Sequence, residues 1–331
     1  MREAKKDFSR VGFTVLAAVL AIQLMNIIIG VIIGVMAPSL GDEISQNADL
    51  NMILSMVIQY GLGSIVLYLG LKSTSKNSDE VVKTRLGVGS FLKIFAITYT
   101  VGQICNILGL ILTTIIASIK GGAVGNVSEQ LVLNTNPFLM ILLTVICAPI
   151  FEEFFFRKMI IDRVGKYGEK LAIITSGLMF GLFHGNLNQF MFAFGIGVIF
   201  AYVYTRTSKI HYTIILHGMI NSVGAIMGIL IQNIDYEAME KISTTSSEEE
   251  IMKFMSEYGL AFGGMLLLML LIVVLIIYGI IAFCLSVKKI IFTPRKEEIG
   301  KGKRFGAGYV NVGMISFIVI FAILIILQLL E

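Results

Sequence analysis

Apolar residues in this chain come in long unbroken runs separated by short polar connections, and nine such segments can be drawn: 11–36, 52–71, 91–118, 138–156, 171–185, 188–204, 210–231, 258–287 and 308–330. A helix needs about 20 apolar residues to cross a bilayer. Most of the segments reach that length, and they predict an all-α, polytopic transmembrane helix bundle of eight or nine spans. The fifth and sixth are the shortest, with only Gly185–Leu187 between them. No repeat, low-complexity tract or soluble catalytic domain interrupts the pattern, so the chemistry is expected inside the bundle or in its short loops.

Composition agrees with the pattern. Of 331 residues, 56% are apolar and only 15% charged, and the mean hydropathy is +0.87. Soluble domains carry about 25% charged residues. The net charge of +4 is too small and too scattered for a nucleic-acid surface. Cys105, Cys147 and Cys284 lie inside apolar runs with no metal or redox spacing, and imply no disulfide framework. The first apolar run, after Arg2, Lys5, Lys6 and Arg10, is longer than the ~7–15 residue core of a signal peptide and is read as a retained span. With nine spans, 23 of the 26 Lys and Arg residues fall on one side. By the positive-inside rule that side, with the N-terminus, is cytoplasmic and the C-terminus external. The acidic stretch Asp235–Glu257 then lies outside and the basic stretch Lys288–Arg304 inside, both expected to be solvated connections.

Charges are costly in a bilayer helix, and the polar exceptions concentrate between residues 152 and 221. Glu152 and Glu153 sit in Ala148-Pro149-Ile150-Phe151-Glu152-Glu153-Phe154-Phe155-Phe156-Arg157. Glu153 and Arg157 are four residues apart, in the order that favours an ion pair along one helix face. Glu152 projects about 100° away without a local countercharge, which suits a general base. Pro149 removes a helical hydrogen bond just before the pair. The plainer reading is an interfacial acidic pair neutralised by Arg157 and Lys158, within about two turns of the cytoplasmic boundary. His184 closes Phe180-Gly181-Leu182-Phe183-His184, and His217 and Asn221 share a face of the seventh segment. Taken singly, each could be interhelical polar glue. Together, a base-like carboxylate, two imidazoles and an amide form a hydrolase constellation: the carboxylate activates water while imidazole and amide hold an oxyanion.

At these residues the sequence resembles the CAAX protease and bacteriocin-processing (CPBP, or Abi) family, which includes the type II CAAX prenyl endopeptidases. The family pattern of E-E-x-x-x-R, F-x-x-x-H and H-x-x-x-N reads here Glu152-Glu153-x-x-x-Arg157, Phe180-x-x-x-His184 and His217-x-x-x-Asn221. The resemblance covers about residues 137–231, dividing the chain into N-terminal helices (1–136), a catalytic core (137–231) and an acidic loop with C-terminal helices (232–331). It implies an intramembrane endopeptidase that hydrolyses a peptide bond in a membrane-associated or lipidated substrate. Glu152 would be the base, acting on water with His184, while His217 and Asn221 hold the oxyanion and Glu153, Arg157 and Phe180 brace the site. Two alternatives stay open for the metal: a zinc set of Glu152, His184 and His217, or a metal-free site, favoured because Asn221 rather than another ligand stands beside His217. The competing class is a non-proteolytic membrane protein, an immunity scaffold or a transporter. The implied partners are membrane lipid and a peptide substrate, in the cytoplasmic membrane of a prokaryote.

Overall fold

A bilayer offers no water to unpaired backbone groups, so spans must satisfy their hydrogen bonds internally. Among the described residues the chain does so with helices alone. A computed structural model describes residues 1–75, 84–122, 124, 134–244 and 247–330. In chain order the helices are α1 (Arg2–Met36), α2 (Pro38–Gln46), α3 (Ala48–Leu71) and α4 (Val88–Lys120). Next comes α5 (Pro137–Tyr167), continuous but interrupted by two π-helical stretches, Ile141–Cys147 and Phe154–Ile161. There follow α6 (Glu169–Phe183), α7 (Leu187–Thr207), α8 (Ile210–Gln232) and α9 (Tyr236–Thr244). The last three are α10 (Glu248–Ser286), α11 (Lys301–Gly308) and α12 (Val312–Leu330).

Among the described residues, eight helices are long and apolar enough to cross a membrane, and the chain is an all-α polytopic bundle. The segment drawn at 171–185 is the exception: its helix, α6, has 15 residues and falls short of a span. It forms an antiparallel hairpin with α7. Gly177 and Gly197 bring the two backbones together, so that a Cβ on Gly197 would lie 3.3 Å from the Gly177 Cα. Small residues at such crossings are how helices associate where lipid supplies no hydrophobic drive. The hairpin tip stays below the far face of the bundle. Thr113 Oγ1 of α4 donates to Asn188 Oδ1 (2.8 Å), and α4 runs on for seven more residues, about 10 Å. The first and last helices run parallel, since the Gly313 amide donates to Ser9 Oγ (3.0 Å) and Gly12 faces Gly313.

Two connections differ from the expectation of solvated loops. The basic stretch after α10 is docked, not free. Glu169, at the start of α6 and 2% exposed, accepts from the Thr293 amide (2.8 Å) and from Arg295 (2.6 Å) and pairs with Arg206 (3.2 Å). Ile299 is buried and donates its amide to the Tyr167 carbonyl (3.1 Å). The acidic stretch is largely helical, forming α9 and the first turns of α10 on either side of Thr245 and Ser246, which lie outside the described residues. Glu248, Glu249 and Glu250 occupy the first turn of α10, where carboxylates meet the positive end of the helix dipole. Ser247 caps that turn by accepting from the Glu250 amide.

Depth is also corrected. Helix α5 does not end near Arg157 and Lys158; it continues to Tyr167, where Lys166 pairs with Asp7 (3.3 Å) and Arg163 Nε donates to the Leu71 carbonyl (2.8 Å). Glu152 therefore lies 15 residues from either end of α5, near mid-helix. It is also as many residues before the turn at Gly168 as His184 is after it.

Helix α10, which separates α9 from α11, generates a topology test. In a chain with its three cysteines replaced, single cysteines at Glu240 and Lys303 should label from opposite sides. A membrane-impermeant maleimide should modify position 240 in intact cells and position 303 only after permeabilisation; labelling of both from one side would contradict the arrangement.

Candidate active site

The site is built around the middle turn of α5. Ahead of it the helix has slipped into π register, with the Ala148 amide donating five residues back to the Leu143 carbonyl. Proline has no N–H to continue that register, so Pro149 leaves the Thr144 carbonyl without its helical donor. Asn221 Nδ2 of α8 supplies the missing bond at 2.8 Å. Gly218, one turn earlier, lets α8 approach this stretch: a Cβ there would stand 2.9 Å from the Val145 carbonyl oxygen. The amide expected to hold an oxyanion thus has a fixed orientation, with one N–H spent on Thr144 and one left.

Glu153 and Arg157 pair as their spacing predicts, both fully buried, with Arg157 Nε donating to Glu153 Oε2 (2.8 Å) and Nη2 to Oε1 (3.3 Å). The pair is not isolated. Arg157 Nη1 donates to Ser176 Oγ of α6 (2.7 Å), and that hydroxyl donates on to the Phe156 carbonyl (2.8 Å). The guanidinium carbon lies 4.8 Å from the Phe180 ring centroid and 5.6 Å from that of Phe200. Glu153 Oε1 also meets His217 Nδ1 at 3.1 Å. A carboxylate held by an arginine can only accept, so Nδ1 carries the proton and the ring is fixed with Nε2 facing away from Glu153.

That Nε2 faces Glu152. Its distance to Glu152 Oε2 is 3.8 Å, too long for a hydrogen bond. His217 accordingly stands between the two glutamates, bonded to one and adjacent to the other. Glu152 is 8% exposed, and its other oxygen accepts from the hydroxyl of Tyr60 on α3 (3.2 Å).

His184, half-buried at the hairpin tip, places Nδ1 2.8 Å from the Phe180 carbonyl. A carbonyl has no proton to give, so Nδ1 is the donor and Nε2 is turned away from the Phe180 carbonyl. Phe180, 1% exposed, is the common wall: its ring meets those of His184 (5.1 Å, 89°) and His217 (5.6 Å, 85°) edge to face. Both imidazoles are thereby held against one aromatic surface.

The structure places Glu152 and His217 side by side, with Oε2 and Nε2 3.8 Å apart, and His184 against Phe180. Among the described residues no three His, Cys, Asp or Glu side chains are grouped so as to hold a metal ion. No step below runs through a metal.

The structure thus joins Glu152, Glu153, Arg157, Phe180 and His217 by direct contacts, with His184 attached through Phe180 and Asn221 through the widened turn of α5. Sequence reasoning missed Tyr60, Ser176 and Phe200. Ser176 and Phe200 carry no pattern that separates them from packing residues. Tyr60 follows Gln59 in an otherwise apolar span, a polar pair that marks a bundle-facing side without naming a partner.

Residues 134–223, which contain the three motifs, match the family described as "Type II CAAX prenyl endopeptidase Rce1-like". Two bacterial proteins are similar. YdiL of Bacillus subtilis, whose name describes a membrane peptidase, is 37% identical over 90 residues, covering 27% of this chain and 37% of that protein. The membrane-embedded CAAX protease MroQ of Staphylococcus aureus is 27% identical over 141 residues, covering 40% of this chain and 56% of that protein. The chain thus spans about half or less of the length of these relatives. No solved structure matches.

The buried pair sets an expectation for stability. Arg157→Ala strands the Glu153 charge and should cost about 3–5 kcal/mol, read as a large fall in the thermal midpoint of the purified protein. The double variant Glu153→Gln with Arg157→Met should recover more than half of that loss; a single variant as stable as the parent would show that the pair is not closed.

Proposed function

We propose that this chain, which carries the Rce1-like type II CAAX prenyl endopeptidase core in residues 134–223, is an intramembrane endopeptidase acting on a membrane-associated or lipidated peptide. The observation that carries this reading is the placement of His217 between two buried carboxylates, one bonded to Arg157 and the other not. A structural ion-pair cluster would use both.

Glu152 takes a proton from water, and the hydroxide attacks the scissile carbonyl carbon. His184, at the same level of the hairpin, presents an Nε2 lone pair that orients the water. Glu152, Glu153 and Arg157 sum to one negative charge, which a protonated His217 balances. In that form Nδ1–H stays on Glu153 while Nε2–H is offered to the oxyanion, with the free N–H of Asn221 as second donor. Collapse of the tetrahedral adduct breaks the C–N bond, and Glu152 returns its proton to the leaving amine. Glu153, Arg157, Ser176 and Phe180 hold these groups in place. The basic face, where most of the Lys and Arg lie, is assigned to the cytoplasm of a bacterial membrane.

Reconstituted with lipid-anchored and transmembrane peptides in liposomes, the protein should release fragments detectable by mass spectrometry. Glu152→Ala and His184→Ala should each reduce release at least about 100-fold while accumulating normally in the membrane. Cleavage that survives both would refute the peptidase reading and favour a non-proteolytic role. Cleavage should also persist in 1,10-phenanthroline at concentrations that strip zinc proteases; loss reversed by added zinc would overturn the metal-free route.

A further inference from the structure

Helix α3 lies outside the segment that matches the peptidase family and is anchored mainly on α1. It nevertheless sends one side chain into the site. Tyr60 is 5% exposed, and its hydroxyl lies 3.2 Å from Glu152 Oε1. The ring is stacked on Phe151 of α5, with centroids 4.7 Å apart and planes within 5° of parallel. The stack fixes the ring, and the ring fixes the direction of the O–H.

The groups facing Glu152 explain why that bond matters. One oxygen has Tyr60; the other faces His217 Nε2 at 3.8 Å, beyond bonding distance. Among the described residues no backbone amide and no lysine or arginine contacts the carboxylate directly. The nearby guanidinium of Arg157 is taken by its neighbour Glu153 and by Ser176. A carboxylate that is not held by donors turns freely about its side-chain bonds. Tyr60 supplies the one full hydrogen bond available, and it binds Oε1 so that Oε2 is left toward His217.

We infer that Tyr60 is a positioning residue, contributed by the N-terminal helices, which pins Glu152 in the orientation that water activation needs. This rests on the peptidase reading above. It also makes α3 part of the functional centre: the family core alone is incomplete without it.

Two measurements on the full-length protein in liposomes test this. First, Tyr60→Phe keeps the ring stack and removes only the hydroxyl. With the peptide cleaved by the parent protein, kcat should fall about tenfold with KM nearly unchanged, and the variant should add nothing on top of Glu152→Gln. Tyr68→Phe, on the exposed side of the same helix, is the control and should match the parent. A Tyr60→Phe enzyme with parental kcat, alongside an inactive Glu152→Gln, would overturn the inference and leave the peptidase reading intact. Second, dicyclohexylcarbodiimide, which modifies carboxyl groups in apolar surroundings, should label Glu152 several-fold faster in Tyr60→Phe, where the carboxyl is no longer held, than in the parent, with Glu153 as reference in the same peptide. Equal labelling would overturn the inference without any substrate. If the parent itself cleaves nothing, the peptidase reading falls and the labelling decides whether Tyr60 holds the carboxylate.

Discussion

A guanidinium with no exposed surface in the middle of a membrane bundle can persist only if every direction around it is satisfied. Arg157 meets that requirement with four side chains at once: Glu153 one turn back on α5, Ser176 on α6, and the Phe180 and Phe200 faces on α6 and α7. Glu153 then reaches α8 through His217. One buried charge thus dictates how four helices stand around a common point, and the candidate catalytic groups are their nearest neighbours. The carboxylate that neutralises Arg157 is also the one that orients His217, so scaffold and chemistry share a single residue.

The backbone contributes by being irregular where the site needs room. Two π-helical stretches flank the turn that carries Glu152 and Glu153, and such stretches widen a helix and expose carbonyls. The proline that breaks the ladder creates a need for a donor, which Asn221 meets. This bond ties α8 to α5 one helical turn from His217. The position of the histidine and the defect in α5 are therefore two ends of one contact surface, held close by the absence of a side chain at Gly218.

The same economy applies at the basic face. Lys166, Arg163, Glu169 and Arg206 lie at or near the ends of helices and Arg295 in the stretch after α10, yet they are paired or bonded across elements rather than left to solvent. They hold the α5–α6 turn at that face, and from it His184 is carried to the level of Glu152. The short hairpin is what this requires: a helix of full span length would carry its end past the carboxylate, whereas α6 stops at Phe183 with the histidine as its next residue.

By itself the sequence determined the class of fold, most helix positions, the Glu153–Arg157 pair, and the candidacy of Glu152, His184, His217 and Asn221. Each of these is local: a run of apolar residues, a spacing of four on one helix, or a polar side chain in a segment that should have none. What only the tertiary structure decided is non-local. The folding back of α6 on α7 as a hairpin, the continuation of α5 to Tyr167 and the docking of the 288–304 stretch depend on contacts between separate elements, invisible to any window of twenty residues. So does the sharing of Glu153 between Arg157 and His217, and so does Tyr60, whose partner is 92 residues away. The two adjacent glutamates are distinguished on the chain by helical spacing, but their separate tasks are set by which helices come to face them.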